Sequence, residues 1–179
     1  PQLPNKVRAE KIDRIRPCLS CQEGCMGRLA KYSQISCAVN PACGREAEYG
    51  LSAALEKKSV MIVGGGIAGM EAARVATLRG HVVTLYEKSD RLGGVVIPGG
   101  VPDFKEDDHD LIRWYERELR ELKVPVIFNK EVTEETVRLA KPDVLIVATG
   151  SQPKRLSIGD ADNVYTAEDV LNGVKPVGD

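Results

Sequence analysis

The sequence predicts an α/β protein: a doubly wound, parallel, Rossmann-like sheet with a cysteine-rich loop on its N-terminal side. Three observations carry this. Val60 to Val63 is a short apolar, β-branched run, as expected of a strand buried on both faces. It ends in Gly64-x-Gly66-x-x-Gly69, and a helical stretch from Ile67 to Arg79 follows at once. Gly80 stops that helix, and His81 to Tyr86 reads as a second buried strand closed by Glu87. The whole is one βαβ unit with an acid about 20 residues beyond the first glycine.

Each glycine has a physical task in such a unit. Gly64 permits the tight turn, Gly66 lets the backbone approach a pyrophosphate, and Gly69 lets the helix lie close on the strand. The free N–H groups and positive end of the helix would hold the phosphates. Glu87 can accept both ribose hydroxyls, which disfavours a 2′-phosphate there. The competing reading is a glycine-rich turn that binds nothing.

Bulk properties exclude several classes. The 179 residues suffice for one sizeable domain plus an appendage. Net charge is −1, from 25 basic and 26 acidic residues, so there is no electrostatic footprint for nucleic acid or an anionic membrane. No apolar run approaches about 18 residues and no signal peptide is visible, which predicts a soluble, cytoplasmic chain. It begins at Pro1 rather than methionine, so a piece of a longer protein is expected.

Residues 1–17 are polar and basic and read as a linker or the docked tail of a preceding domain. Residues 18–45 form the cysteine-rich loop, with Cys18-x2-Cys21-x3-Cys25-x11-Cys37. Three thiolates crowded into a glycine-containing segment, with a fourth standing apart, point to an iron–sulfur cluster. Structural zinc sites more often pair two short knuckles. Zinc and free or disulfide-bonded thiols remain as alternatives, and Cys43 reads as a spare buried thiol.

Residues 46–58 form a connector, within which 47–56 could be helical. Beyond the βαβ unit, Arg91-Leu92-Gly93-Gly94 again allows close backbone approach, either to a ligand or in a plain turn. The chain then breaks at Pro98-Gly99-Gly100-Val101-Pro102. Asp103 to Glu106 has the form of a capping box, opening a helix to about Leu122 that buries Leu111, Tyr115, Leu119 and Leu122. His109 is expected on its solvated face and Trp114 partly in the core. Val124 to Phe128 is the next strand, Thr133 caps a helix to Ala140, and Asp143 to Ala148 is the last clear strand. It ends in Ala148-Thr149-Gly150, which should lie beside the glycine turn at the carboxyl end of the sheet. The dinucleotide-binding domain is thus expected over residues 59–155. Residues 156–179, with Gly159 and Pro176, read as irregular apart from a short helix at Ala167–Leu171.

Taken in that order, the cysteine spacing, the Gly64–Glu87 unit running on through Lys88-Ser89-Asp90-Arg91-Leu92-Gly93-Gly94, and Ala148-Thr149-Gly150 resemble one family. It is the rear half of the multidomain flavoenzymes related to Old Yellow Enzyme: 2,4-dienoyl-CoA reductase, trimethylamine dehydrogenase and clostridial 2-enoate reductase. The stretch Gly93-Gly94-Val95-Val96-Ile97-Pro98-Gly99-Gly100 most resembles the last.

The resemblance implies an FMN-bearing barrel upstream, then a 4Fe–4S loop, an FAD-binding domain, and an NAD(P)H-binding domain downstream. It implies that Cys18, Cys21, Cys25 and Cys37 hold the cluster. Gly64, Gly66 and Gly69, with Gly65, Ile67 and Ala68 between them, would lie under the FAD pyrophosphate, and Glu87 on the adenosine ribose. Lys88, Arg91, Leu92, Gly93 and Gly94 match the flanking contacts, Val132 the adenine-side position, and Ala148, Thr149 and Gly150 the second flavin stretch.

The 179 residues contain no barrel, no second GxGxxG and no returning flavin segment, so no catalytic residue of enoate reduction is expected here. Trimethylamine dehydrogenase, whose matching domain holds only ADP, keeps ADP as the alternative ligand. A non-catalytic ADP-binding or interaction domain with a structural cysteine loop is the rival reading. A glutamate-synthase-like flavin subunit is a second rival, and it should space its cysteines differently.

Overall fold

The computed structural model describes residues 2–154 and 164–174. Gly159, Pro176 and most of the irregular tail expected from residue 156 therefore lie outside the described residues.

In chain order the elements are α1 (Leu3–Arg8), a 3-10 turn (Ile12–Arg14), α2 (Met26–Leu29), β1 (Ser59–Val63) and α3 (Ile67–Leu78). They continue with β2 (Val82–Tyr86), α4 (Val96–Gly99), a second 3-10 turn (Asp103–Lys105), α5 (Glu106–Glu121) and β3 (Val126–Ile127). Last come α6 (Glu134–Ala140), β4 (Val144–Val147) and α7 (Ala167–Leu171). The sheet runs β3-β2-β1-β4 and every pairing is parallel, as predicted. Chain order steps outward from β1 to β3 and then returns to the other side of β1. That reversal makes the carboxyl ends of β1 and β4 the crevice of a doubly wound sheet.

The core lies where α3 packs on the sheet and α5 packs on α3. Ile62, Met70, Leu85 and Leu119 are fully enclosed, and Trp114 and Tyr115 join them. β1 is buried at Val60, Met61 and Ile62 in succession, which explains its unbroken apolar run. β4 alternates instead: Val144 and Ile146 pack on the core, while Leu145 and Val147 are exposed.

Several local expectations need correction. The Pro98–Pro102 break contains a helical turn, α4, because Gly93 and Gly94 adopt positive φ and redirect the chain into it. Pro98 sits in that first turn, where its missing N–H costs nothing. Asp103 forms no capping box; it lies in a 3-10 turn, and Lys105 precedes α5 without a side-chain cap. Glu106, Asp107 and Asp108 fill the first turn of α5 instead, where the helix dipole favours acids.

Residues 47–56 are mostly irregular rather than helical, with a turn at 47–48 and bends at 49 and 55–56. The strand expected at Val124 to Phe128 pairs only at Val126 and Ile127. His109 is half-buried rather than solvated, because α4 returns its Gly100 against the imidazole. At the N-terminal side, α1 opens with Pro4 in its first turn, and the 3-10 turn at Ile12–Arg14 lies on α5. There Trp114 Nε1 donates to the Arg14 carbonyl at 3.1 Å and Arg14 pairs with Glu118 at 3.0 Å. Thr133 caps α6 as expected, reciprocally with Thr136.

Candidate functional site

The turn after β1 separates the glycines by their surroundings. A Cβ on Gly64, whose φ is +108°, would overlap the Ala148 carbonyl, and one on Gly69 would overlap the Gly64 carbonyl. These two are demanded by the turn itself. Gly66 differs: its backbone is extended (φ −72°, ψ −179°), and a Cβ there would meet nothing within 4 Å. Its missing side chain leaves open space directly at the N-terminus of α3. Ile67, Ala68 and Gly69 form the first helical turn, whose N–H groups have no intrahelical acceptors, and Gly66 supplies no side-chain cap. Such a terminus attracts an anion.

The second glycine run interlocks with the first. Gly93 N–H donates to the Gly65 carbonyl at 3.0 Å, and Gly66 and Gly93 form a parallel bridge. A Cβ on Gly94 would lie 3.2 Å from Gly66 Cα. Leu92 is buried against Gly65, while Lys88 and Arg91 are exposed on the rim. On the opposite side, Ala148 N–H donates to the Val63 carbonyl at 2.8 Å, so Thr149 and Gly150 emerge, exposed, beside Gly64. The glycine turn, Gly93-Gly94 and Ala148–Gly150 therefore share one end of the sheet.

Glu87 is buried, with 8% of its surface exposed, although it ends a strand. Its Oε2 accepts from Gly65 N–H at 2.6 Å, and its Oε1 accepts from Ser89 N–H and Ser89 Oγ, both at 2.8 Å. Three donors leave about one of a carboxylate's four acceptor sites. Ser89 Oγ lies 2.8 Å from the Arg91 carbonyl as well, so its single proton can turn there and release a second site. Ser89 was not singled out by the sequence; a hydroxyl two positions beyond the acid was its only signal.

Burial works to raise the Glu87 carboxyl, but the bonds from Ser89 and Gly65, with Lys88 nearby, hold it below its ordinary value of 4.5. A group depressed in the folded state stabilises fully above its unfolded value, and that contribution fades as pH falls through the folded one. Below pH 4.5 the stability advantage of the wild type over Glu87→Gln should therefore shrink in urea melts taken at successive pH values. Parallel curves would contradict the assignment.

Val132 is half-buried past Asn129 and Lys130, whose N–H groups donate to the Ser89 and Glu87 carbonyls at 2.9 and 3.0 Å. It thus lies on the Glu87 side of the site. An open cavity of about 610 Å³ adjoins this stretch, between Tyr86, Lys130 and α6. No residue of the glycine turn lines it.

In the cysteine-rich loop all five cysteines are free; Cys18, Cys21 and Cys25 are exposed, and Cys37 and Cys43 are half-buried. Ser36 N–H donates to the Gly24 carbonyl at 2.7 Å, and a Cβ on Gly24 would meet the Ser36 carbonyl at 2.6 Å. The residues immediately before Cys25 and Cys37 are thereby pinned together. Ser20 and Gln22 adopt positive φ, and Ser20 N–H donates to Cys18 Sγ at 3.3 Å. Burial first, then the neighbouring Cys37, Glu46 and Cys25, push the Cys43 thiol up. Among the described residues no group of three or more His, Cys, Asp or Glu is gathered closely enough to hold a metal ion. The donor set, free thiols carried on one pinned loop, is of the type that a thiolate-ligated cluster takes, but its members are not drawn together into one site. Nor, among the described residues, is any helix long and apolar enough to cross a membrane.

A family model described as pyridine nucleotide-disulphide oxidoreductase matches residues 58–177. Cinnamate reductase of Clostridium sporogenes is 57% identical over 178 residues, which cover 99% of this chain and 27% of that protein. Among solved structures, a 2-naphthoyl-CoA reductase complex superposes with a TM-score of 0.94 at 38% identity, covering 99% of this chain and 27% of the other. Histamine dehydrogenase from Rhizobium sp. 4-9 superposes with a TM-score of 0.85 at 26% identity, covering 97% of this chain and 27% of the other. The chain thus spans about a quarter of the length of these relatives.

Proposed function

Since the chain belongs to the pyridine nucleotide-disulphide oxidoreductase family, we propose that it is the FAD-binding and iron–sulfur portion of a multidomain, enoate-reductase-like flavin oxidoreductase. The observation that carries this is the open Cβ position of Gly66, between two interlocked glycine runs at the N-terminus of α3. The names of the relatives support a reductase of conjugated substrates, cinnamate in one and 2-naphthoyl-CoA in another.

On this reading Gly64 to Gly69 and the first turn of α3 bind the diphosphate, Glu87 takes the adenosine ribose and Val132 flanks the adenine. Thr149 and Gly150 border the flavin end. Cys18, Cys21, Cys25 and Cys37 hold a 4Fe–4S cluster. The chemistry supplied by these groups when bound is hydride transfer from NAD(P)H to FAD and one-electron passage through the cluster toward FMN in an upstream barrel, for reduction of an activated C=C bond. The protein's share is position and electrostatics.

The test is a visible spectrum of anaerobically purified chain. It should show the structured yellow band of oxidised flavin and a broad brown shoulder from the cluster. A colourless protein that binds ADP and zinc would overturn the proposal. Saturable enoate turnover by these 179 residues is not expected, because it needs a nicotinamide held about 3–3.5 Å from the flavin.

Glu87→Ala should weaken adenine dinucleotide binding by roughly tenfold or more, since a charge-assisted bond is worth about 1.5–3 kcal/mol. It also removes the carboxylate to which the Gly65 N–H donates, so the loop loosens as well. Affinity within about twofold of wild type, by calorimetric titration, would remove Glu87 from the site.

A further inference from the structure

Arg16 lies just before the cysteine-rich loop, and its guanidinium meets three separate parts of the molecule. One arm donates to the carbonyl of Val39, just past Cys37. The other donates to both Glu71 oxygens on α3, at 3.2 and 3.4 Å. Its Cζ lies over the Trp114 ring of α5, 4.3 Å from the centroid. Only 16% of its side chain is exposed.

Glu71 is itself gripped by Arg74 through two bonds of 2.9 Å. Burial works to raise the Glu71 carboxyl, but the Arg74 and Arg16 guanidiniums more than offset it, so it remains an anion. Leu19 and Val39 also pack on the core, and Ser20 Oγ donates to Asp107 at 2.9 Å. These hold the loop at single points. Arg16 bridges both ends: Cys18 follows it in the chain, and Cys37 precedes the carbonyl it binds.

We propose that Arg16 is a positioning residue: its guanidinium clamps both ends of the cysteine loop to α3 and α5, setting the geometry between the cysteine-held centre and the dinucleotide site. The clamp rests on the cluster and flavin reading above only for its consequence in electron transfer. The rate of an electron step falls steeply with distance, so a loop that swings on one tether is a poor relay. A planar fork can donate in two directions while stacking on an indole; a lysine ammonium supplies charge without that geometry. The guanidinium charge stands two residues before Cys18 in the chain, and on the cluster reading it would also favour the reduced, more negative state of a centre held there.

The test uses the 179-residue chain. Amide hydrogen exchange, read by mass spectrometry on the metal-free protein, should speed up at least tenfold over residues 18–39 in Arg16→Met and in Arg16→Lys. Peptides from α3 and α5 should keep wild-type protection. Loop exchange within twofold of wild type in Arg16→Lys would overturn the clamp, and this variant decides the matter if Arg16→Met fails to fold.

After anaerobic reconstitution with iron and sulfide, an EPR-monitored redox titration reads the charge separately. The midpoint potential should move negative in Arg16→Met and return toward wild type in Arg16→Lys, a pattern that loss of packing alone does not produce. Identical potentials in all three proteins would overturn the electrostatic role. If the wild type takes up no cluster, the functional reading fails while the exchange experiment still decides the clamp.

Discussion

Gly66→Val should abolish binding of an adenine dinucleotide while leaving the chain folded. The backbone at Gly66 is extended, at φ −72° and ψ −179°, a conformation that valine adopts without strain. A Cβ there meets no protein atom within 4 Å. The added side chain therefore projects into the space assigned to the diphosphate, above the first turn of α3. A loss of at least about a hundredfold is expected, near 2.8 kcal/mol at ~1.4 kcal/mol per decade.

The neighbouring glycines provide the contrast. Alanine at Gly64 or Gly69 would overlap a backbone carbonyl, and at Gly64 it must also adopt a positive φ. Those variants should lose the fold along with the ligand. Circular dichroism melts paired with a binding titration separate the two classes. A folded Gly66→Val protein with full affinity would mean that the turn holds no diphosphate.

Cys18→Ser should sharply reduce the iron and sulfide of anaerobically prepared protein, expected at about four of each per chain, whereas Cys43→Ser should leave them unchanged. Cluster ligands are soft thiolates, and a serine hydroxyl is neither soft nor ionised at neutral pH. Cys18 already receives a backbone N–H on its sulfur, and the loop that follows is folded back through Ser20 and Gln22. Cys43 lies beyond the Gly24–Ser36 crossing, which joins the residues immediately before Cys25 and Cys37. It is nonetheless close enough to both for their charges to act on its thiol. Colorimetric iron and sulfide assays decide the question, and equal loss in both variants would place Cys43 in the ligand set.

The resemblance carried by the cysteine spacing and the two glycine runs holds: cinnamate reductase and 2-naphthoyl-CoA reductase match nearly the whole chain. What was legible in the sequence was local. An unbroken apolar run marked β1, because a strand buried on both faces needs no alternation. Helical spacing of Leu111, Tyr115, Leu119 and Leu122 marked α5, because burial of one helix face is written at intervals of three to four residues. Thr133 signalled the start of α6, because its cap bonds lie within one helical turn. The spacing of Gly64, Gly66 and Gly69 marked the turn, because each answers a constraint only a few residues away.

The tertiary structure alone decided which constraint each glycine answers: the Ala148 carbonyl, just past β4, excludes a side chain at Gly64, while nothing lies within 4 Å of one at Gly66. It turned the Pro98 segment into α4, half-buried His109, and wrapped Glu87 with Gly65 and Ser89 before any ribose arrives. It also gave Arg16 its partners on Val39, Glu71 and Trp114, none of them near it in sequence. Such contacts depend on the register and packing of whole elements. Periodicity and turn chemistry act over a few residues, so they fix which elements form, and the closing of the sheet fixes which side chains meet.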